Sequence, residues 1–271
     1  MNPKTPKISV ITVTLNTALD LQKTLESITG QDYPNLEIIV IDGGSTDGTV
    51  EVIKTHAEHI TYWISEPDKG IYNAMNKGLA KATGEWVNFM NAGDVFFDRH
   101  VLSTIFNQDL QDADVLYGDS IASYPVFKTY RKALPVDNLW KGMVCCHQSM
   151  FFRTNLIKHE GYKPDLFFSA DYEMILRLYF TGKNFRYIPE TIAVFDTRGI
   201  SNLKMAKSAR SNVGILSSYR PLTPKEKRFH LRFIYQSKLT EWVYRRLPST
   251  LIYSFLKWFY RNQIIHESPH P

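Results

Sequence analysis

Two apolar runs of the sequence each deliver a carboxylate and are followed by small or turn-forming residues. The first begins at Leu36 and ends in Asp42, and the second begins at Trp86 and leads to Asp94, about fifty residues after the first carboxylate. If both runs are strands of an open α/β sheet, their carboxyl ends border the crevice in which such sheets bind ligands. Two carboxylates at that edge suit a nucleotide and a divalent metal on its diphosphate.

Several short segments, met in one order along the chain, carry a family resemblance. They are Ile8–Asn16, Asp42–Thr49, Glu66–Gly78, Asn91–Asp94 and Ala170–Tyr172. Over about residues 7 to 205 the chain resembles the family 2 glycosyltransferases of the GT-A fold. Within that family, His147–Ser149 and Gly199–Ser201 most resemble segments of enzymes that build bacterial O-antigen or exopolysaccharide.

The resemblance implies both a fold and an activity. The fold is α/β, the GT-A nucleotide-diphospho-sugar transferase fold, with a mostly parallel central sheet flanked by helices. The activity is that of an inverting, metal-dependent glycosyltransferase of the hexosyltransferase type. It would move a sugar from a nucleotide-diphosphate donor to a glycan acceptor, expected to be lipid-linked, in surface polysaccharide synthesis. The alternative is a nucleotide-sugar-binding module with impaired catalysis.

The resemblance also implies a nucleotide-sugar site, in which Asp42 accepts hydrogen bonds from the base or ribose. The expected binding residues are Thr14, Asn16, Asp42, Ser45, Asp47, Lys69, Asn91, His147 and Arg198. Several of them have a purely structural alternative. Asp47 also suits the first turn of a helix, where an acid favours the helix dipole. Lys69 also suits a solvent-facing position, His147 a structural role, and Arg198 a surface loop rather than a diphosphate clamp.

The metal site implied by the resemblance depends on Asp94 alone. The family commonly has two or three acids in this stretch, and here Asn91 and Gly93 occupy two of those places. One carboxylate, two phosphate oxygens and waters still complete an octahedral shell around Mg²⁺ or Mn²⁺. We expect a weaker affinity for the metal when the sugar nucleotide is absent. The alternative is a helix-capping aspartate.

Asp171 is the residue that the resemblance assigns to catalysis. Direct displacement at an anomeric carbon needs a base that takes the proton of the acceptor hydroxyl. The family often has Glu-Asp where this chain has Ala170-Asp171, so the carboxylate corresponding to the base is retained. The metal stabilises the leaving diphosphate, so the second carboxylic acid of glycoside hydrolases is not required. The alternative for Asp171 is a helix N-cap.

The elements that must position these residues follow from the hydrophobic pattern. In the first hundred residues, strands are predicted at 8–14, 36–41, 60–65 and 85–90, and helices at 20–29, 47–56 and 72–82, with Ser45 or Thr46 capping the second helix. This alternation favours right-handed βαβ units and a mostly parallel sheet. The second half predicts strands at 115–118, 126–131, 149–152, 185–188 and 191–195, and a helix at 171–181.

The last part of the chain differs in charge from the rest. We predict a GT-A domain over residues 1–216 and a basic, aromatic, helical C-terminal extension over residues 217–271. From Ser217 onward there are ten Lys or Arg and three acids, a net charge of +7, whereas residues 1–216 carry −2. Eleven aromatic residues from Tyr219 onward are interleaved with the cations, a composition that favours peripheral contact with an anionic membrane. The alternative is a pair of helices packed on the catalytic domain with a solvated basic face.

Other classes of protein are disfavoured. A Rossmann-type oxidoreductase needs a glycine-rich turn after the first strand, and residues 15–18 contain no glycine. No RNA- or DNA-binding motif accompanies the basic charge, so no nucleic-acid partner is predicted. No apolar run reaches the roughly 18 residues of a membrane span. The two adjacent cysteines, Cys145 and Cys146, form no disulfide framework and fit a reducing cytosol. We therefore expect a cytoplasmic protein, peripheral on the inner face of the cytoplasmic membrane.

Overall fold

The computed structural model describes residues 5–197 and 204–265 and contains one large sheet flanked by helices. The first elements alternate strictly: β1 (Ile8–Thr14), α1 (Ala18–Thr29), β2 (Leu36–Asp42), α2 (Thr49–Thr55), β3 (Tyr62–Ser65), α3 (Ile71–Lys81) and β4 (Trp86–Phe89). The next are β5 (Val95–Phe96), α4 (Val101–Phe106), β6 (Val115–Tyr124), β7 (Phe127–Arg131), β8 (Met150–Arg153), α5 (Thr154–Ile157), α6 (Ala170–Phe180) and β9 (Phe185–Asp196). Three further helices follow: α7 (Met205–Tyr219), α8 (Pro224–Arg246) and α9 (Ser249–Phe259).

The described strands form a sheet in the order β3-β2-β1-β4-β8-β6-β9-β5, with β7 paired to β6. The pairs β1–β2, β1–β4, β2–β3 and β6–β9 are parallel. Strand β8 runs antiparallel between β4 and β6, and β5 runs antiparallel to β9. The predicted fold class is confirmed, although the β8 and β5 pairings make the sheet mixed.

Strand β1 is buried on both faces, which explains its continuous apolar and β-branched sequence. Successive side chains point to opposite sides of the sheet. Val10 packs into one core cluster with Leu21 and Leu25 of α1, whereas Ile11 packs into the other with Met75 of α3. The sheet is thus held between two apolar layers, so the carboxyl ends of β1, β2 and β4 occupy fixed positions.

The structure corrects three expectations about local elements. Helix α2 begins at Thr49 behind Gly48, which has φ +100°, so the predicted capping by Ser45 or Thr46 is wrong. Strand β5 and helix α4 were not predicted from the hydrophobic pattern. The two predicted closing strands are one strand, β9, whose register against β6 shifts on either side of Asp119.

The C-terminal helices begin with well-defined local signals. Thr223 and Glu226 form a reciprocal capping box at the start of α8, and Pro224 occupies the first turn. Phe229 of α8 packs edge-on against Trp140, with ring centroids 5.2 Å apart. The predicted domain boundary at 216/217 falls inside α7, and the division of the chain into two parts stays a prediction. Among the described residues, no helix combines the length and apolarity that crossing a bilayer requires.

Candidate functional site

Asp42, at the carboxyl end of β2, organises the turn that follows it. The side chain is fully buried. It accepts hydrogen bonds from the backbone N–H groups of Gly44 (3.2 Å) and Ser45 (2.9 Å), from the Ser45 hydroxyl, and from the Ser65 hydroxyl of β3 (2.5 Å). Gly44 has φ +87°, a conformation that other residues adopt only with strain. The Asp42 carboxylate therefore shapes the turn from inside the fold.

The β1–α1 and β2–α2 loops are joined by further hydrogen bonds. The backbone N–H of Asn16, which has φ 51°, donates to Ser45 Oγ (2.7 Å), and Thr46 N–H donates to Asn16 Oδ1 (2.9 Å). Thr14 Oγ1 lies 2.8 Å from Thr17 Oγ1. Four predicted nucleotide-binding residues (Thr14, Asn16, Asp42 and Ser45) thus meet at one edge of the sheet.

Asp47 joins the starts of two helices. Its carboxylate accepts hydrogen bonds from the Thr49 hydroxyl (2.5 Å), the Thr49 N–H (3.1 Å) and the Ala18 N–H of α1 (3.3 Å). These bonds, the one from the Thr49 hydroxyl first, hold the pKa of Asp47 below its usual value despite some desolvation. Asp47 thus lies before the N-cap residue Gly48 and not in the first turn of α2, and its contact with a nucleotide stays a prediction.

The carboxylate after β4, Asp94, is buried and held by two donors. Gln148 Nε2 donates to Asp94 Oδ2 (2.5 Å), and the backbone N–H of Asp196 donates to Oδ1 (2.9 Å). Burial raises the pKa of Asp94 to about 7; the two hydrogen bonds oppose this shift, and the negative charges of Asp196 and Asp20 add to it. Because β5 follows directly, Asp94 does not cap a helix. Gln148 was not among the predicted site residues. The one sequence signal for it was its position next to His147, which was predicted to bind the donor.

Asn91 and His147 connect the end of β4 to the short 3₁₀ helix His147–Ser149. Asn91 Nδ2 lies 3.1 Å from His147 Nε2. Burial lowers the pKa of His147, partly opposed by the negative charge of Asp171, so the imidazole is neutral near pH 7. A neutral ring protonated on Nδ1 accepts the Asn91 hydrogen bond at Nε2. Asn91 Oδ1 is buried and accepts no hydrogen bond among the described residues.

Asp171 lies in the first turn of α6, half-buried. Ser169 occupies the N-cap position, so the alternative of Asp171 as a helix N-cap is wrong. Asp171 Oδ1 accepts the backbone N–H of Tyr172 (2.8 Å). The Tyr72 hydroxyl of α3 lies against the same carboxylate. The pKa of Tyr72 is raised mainly by burial and, to a smaller extent, by the negative charge of Asp171. Asp171 thus lies close enough to Tyr72 and His147 for its charge to affect the pKa values of both.

One predicted binding residue, Lys69, stands apart from this network. Lys69 is exposed, and its backbone N–H donates to Asn73 Oδ1 (3.3 Å) at the start of α3. This position fits the solvent-facing alternative. Arg198 and the segment Gly199–Ser201 lie outside the described residues.

A cavity of about 840 Å³ opens between α6, α7 and the segment 160–166. Its lining includes Tyr162, Lys163, Glu173 and Tyr219, but not Asp42, Asp94 or Asp171. Because the carboxylates lie elsewhere, we assign the candidate site to the carboxyl ends of the strands rather than to this cavity.

The raised pKa of Asp94 predicts a pH dependence of stability for the metal-free protein. Asp94 binds its proton more tightly in the folded state, so its stabilising contribution is complete below about pH 4 and is lost as the pH rises to about 7. Asp94→Asn should remove this loss and raise the free energy of unfolding at pH 8 by on the order of 1–3 kcal/mol. Urea unfolding in EDTA at pH 5 and pH 8 measures the effect. Asp98→Asn, an exposed position, is the control, and equal pH dependence in wild type and Asp94→Asn would refute the prediction.

The inward-facing carboxylate of Asp42 supports a second prediction. In Asp42→Asn an amide NH₂ replaces one acceptor oxygen and faces donors of the turn, so we expect the free energy of unfolding to fall by about 1–3 kcal/mol. Nucleotide affinity should fall with it, because the Asn16–Ser45 contact depends on the same turn. Urea unfolding and calorimetric titration with UDP and GDP provide the measurements, with exposed Asp112→Asn as the control. Unchanged stability would show that Asp42 does not hold the turn.

Comparison with known proteins identifies the sequence family of this chain. The family model described as Glycosyl transferase family 2 matches residues 9–191. An uncharacterised glycosyltransferase of Mycobacterium tuberculosis is 34% identical over 208 residues, which are 73% of this chain and 78% of that protein. A PGL/p-HBAD biosynthesis glycosyltransferase of Mycobacterium bovis is 33% identical over 156 residues, or 56% of this chain. The chain spans only 60% of the length of the latter relative.

Solved structures show the same fold at low sequence identity. The structure of S. aureus TarS residues 1–349 in complex with UDP has a TM-score of 0.63 and 16% identity, over 90% of this chain and 76% of that one. The mannosyltransferase PcManGT from Pyrobaculum calidifontis, in complex with GDP-Man and Mn²⁺, also has a TM-score of 0.63, with 19% identity over 95% of this chain and 82% of that one. The TarS structure contains UDP, and the PcManGT structure contains GDP-Man.

Proposed function

Because the chain belongs to glycosyl transferase family 2, we propose that it moves a sugar from a nucleotide-diphosphate donor to a hydroxyl group of a glycan acceptor. The observation that carries this proposal is the Asn91–His147 contact, with the charge of Asp171 acting on the same imidazole. This contact joins the chain segment that leads to Asp94 to His147, whose pKa is affected by the charge of Asp171. A donor and an acceptor bound between Asp94 and Asp171 would meet at one point.

The nucleoside would bind against the two joined loops that contain Asn16 and Ser45. The hydrogen bonds inside these loops fix their backbone before the donor arrives, which reduces the ordering cost of binding. The UDP bound to TarS and the GDP-Man bound to PcManGT support a nucleotide sugar as donor. Asp42 would contribute indirectly by holding the turn after β2 in place, and Asp47 would do so by holding the starts of α1 and α2.

Asp94 would hold a divalent metal, Mn²⁺ or Mg²⁺, on the donor diphosphate. The described residues contain no group of three or more His, Cys, Asp or Glu able to hold an ion. The residues present nevertheless fit a metal, because Asp94 is a buried carboxylate and the buried Asn91 Oδ1 accepts no hydrogen bond from the part of the chain that the structure describes. The Mn²⁺ in the PcManGT complex supports this proposal. When bound, the metal would stabilise the negative charge of the leaving nucleoside diphosphate.

Asp171 would act as the general base of a single displacement. Its carboxylate takes the proton of the acceptor hydroxyl while that oxygen forms a bond to the anomeric carbon. The bond from the anomeric carbon to the donor diphosphate breaks on the opposite face, so the configuration at this carbon inverts. The Tyr72 hydroxyl, by its hydrogen bond to Asp171, would keep the carboxylate turned toward the acceptor.

The acceptor is proposed to be lipid-linked, in the synthesis of a surface polysaccharide such as O-antigen or exopolysaccharide. The basic and aromatic composition of the chain after Ser217 supports peripheral contact with a membrane, where such an acceptor would lie. On this proposal the enzyme works on the cytoplasmic face of the membrane.

The experiment that tests the proposed function is a donor screen with product analysis. Purified protein is incubated with UDP- and GDP-sugars, Mn²⁺ or EDTA, and lipid-linked or free glycan acceptors. Mass spectrometry detects the product, and proton NMR reads the anomeric configuration of the new linkage. Tight donor binding without transfer or donor hydrolysis would favour the second candidate, a binding module with impaired catalysis. The single acid in Asn91–Asp94 is the observation that keeps this second candidate open.

A further inference from the structure

Helices α8 and α9 each present a row of large, exposed apolar side chains that no described residue covers. These side chains recur every three or four residues on both helices. The α8–α9 stripe comprises Leu231, Tyr235, Leu239, Trp242, Leu251, Phe255, Trp258 and Phe259, each more than half exposed. Recurrence at this spacing puts the members of each set on one side of their helix.

The stripe lies away from the side of α8 that packs on the rest of the protein. His230 and Ser237 are buried, and the His230 ring packs on Trp140 with centroids 6.4 Å apart. At 3.6 residues per turn, these two residues lie roughly 150° around the helix axis from the middle of the α8 stripe. The alternative that the sequence analysis left open, two helices packed on the core with only a basic face in solvent, does not account for this exposed apolar side.

Cations border the stripe on both helices. They are Arg228, Arg232, Lys238, Arg245, Arg246, Lys257 and Arg261. Within 5–197 and 204–265, none of these seven forms an ion pair. The two acids of α8 are engaged elsewhere, because Glu226 pairs with Arg220 and Glu241 accepts the Ala206 N–H (2.8 Å). The positive charge around the stripe is therefore not balanced within this part of the protein.

Residues 260–265, which follow α9, fix its end in place. After α9, the Tyr130 N–H donates to the Gln263 carbonyl (3.0 Å) and the Ile265 N–H donates to the Lys128 carbonyl (3.1 Å). The Arg131 guanidinium also stacks on Tyr260, 4.5 Å from the ring centroid. These contacts join the end of α9 to β7.

We propose that the α8–α9 stripe docks on an anionic lipid bilayer. Tryptophan and phenylalanine bury favourably at the boundary between headgroups and acyl chains, and the bordering Lys and Arg side chains reach anionic headgroups. Charge complementarity selects a bilayer over a second copy of this chain. Two copies joined face to face through the stripe would bring their unpaired cations together, whereas an anionic leaflet neutralises them. For the access of a lipid-linked acceptor this inference rests on the proposed function; the docking itself does not.

The test is binding of the full chain to vesicles, without any turnover step. Co-sedimentation uses phosphatidylcholine vesicles with and without phosphatidylglycerol, at low and high salt. Phospholipids brominated on the acyl chains quench tryptophan fluorescence and report the depth of Trp242 and Trp258. One variant removes apolar anchors (Phe255→Ser, Trp258→Ser and Phe259→Ser), and another removes charge (Lys238→Gln, Arg245→Gln and Arg246→Gln). The matched controls change exposed residues elsewhere (Leu19→Ser, Phe97→Ser and Val126→Ser; Lys23→Gln, Lys54→Gln and Lys81→Gln), and circular dichroism verifies folding.

We expect wild type and both controls to bind anionic vesicles at low salt, with brominated lipid quenching their fluorescence. Each stripe variant should bind at least about tenfold more weakly, and high salt should weaken wild-type binding because it screens the attraction. Absence of wild-type binding at low salt would overturn the proposal, as would equal binding by the stripe variants and the controls. A wild-type dimer in sedimentation velocity that the apolar variant dissociates would assign the stripe to a second copy. Failure of vesicle binding would leave the proposed transferase activity untouched, since donor turnover is measured separately.

Discussion

Asp171→Asn is expected to lower kcat by about a hundredfold or more, because general-base help in proton transfer is typically worth that much. Asparagine has the shape of aspartate but cannot take the proton of the acceptor hydroxyl. Its Oδ1 still accepts the Tyr172 N–H, so α6 keeps its first turn and the fold survives. Donor affinity should stay at the wild-type value, because in the proposed role Asp171 would contact the acceptor and not the nucleotide.

Two measurements separate this role of Asp171 from a role in donor binding. Steady-state kinetics with saturating donor and acceptor give kcat, and calorimetric titration with the nucleotide gives the dissociation constant. Asp165→Asn is the matched control, since Asp165 is an exposed aspartate six residues earlier in the chain. A marked loss of nucleotide affinity with normal turnover would reverse the assignment and make Asp171 a donor-site residue.

Asp94→Asn is expected to abolish the dependence of turnover on added Mn²⁺ and to lower kcat by about a hundredfold or more, since charge stabilisation by a metal is worth several kcal/mol. The substitution keeps the side-chain shape, and the amide oxygen still accepts the Asp196 N–H. A neutral group, however, binds the metal poorly and leaves the diphosphate charge without its counter-ion.

The readout specific to metal binding is the effect of Mn²⁺ on nucleotide affinity. In wild type, Mn²⁺ should tighten nucleotide binding relative to EDTA, whereas in Asp94→Asn the two affinities should coincide. The exposed Asp98→Asn serves as the control and should behave as wild type. Wild-type turnover by Asp94→Asn would show that Asp94 is not the metal ligand. Loss of the Mn²⁺ effect in Asp94→Asn, together with the expected gain in stability at pH 8, would identify Asp94 as a carboxylate whose charge is kept for function at a cost in stability.

Local pattern predicted most of the regular elements, for reasons visible in the structure. Strand β1 was predicted with its observed bounds, because a β-branched run buried on both faces has one simple interpretation. Helices α3 and α6 were predicted to within one residue at each end, because their apolar residues recur at helical spacing. Strand β5 has two residues and is a strand only because β9 lies beside it, so no local signal marks it. The cap of α2 was mispredicted because tertiary contacts engage Ser45 with Asp42 and Asn16.

The sequence by itself determined the family, the fold class and the kinds of residue at the candidate site, because these depend on residue types in a fixed order along the chain. Only the tertiary structure decided how those residues act. It joined the Asp42 carboxylate to the Ser65 hydroxyl of β3, paired Asp94 with Gln148, and laid Tyr72 against Asp171. Contacts of this kind join residues far apart in sequence, and the pKa shifts depend on how deeply each group is buried. Neither property is a function of local pattern, because both arise from which segments the packed sheet brings side by side.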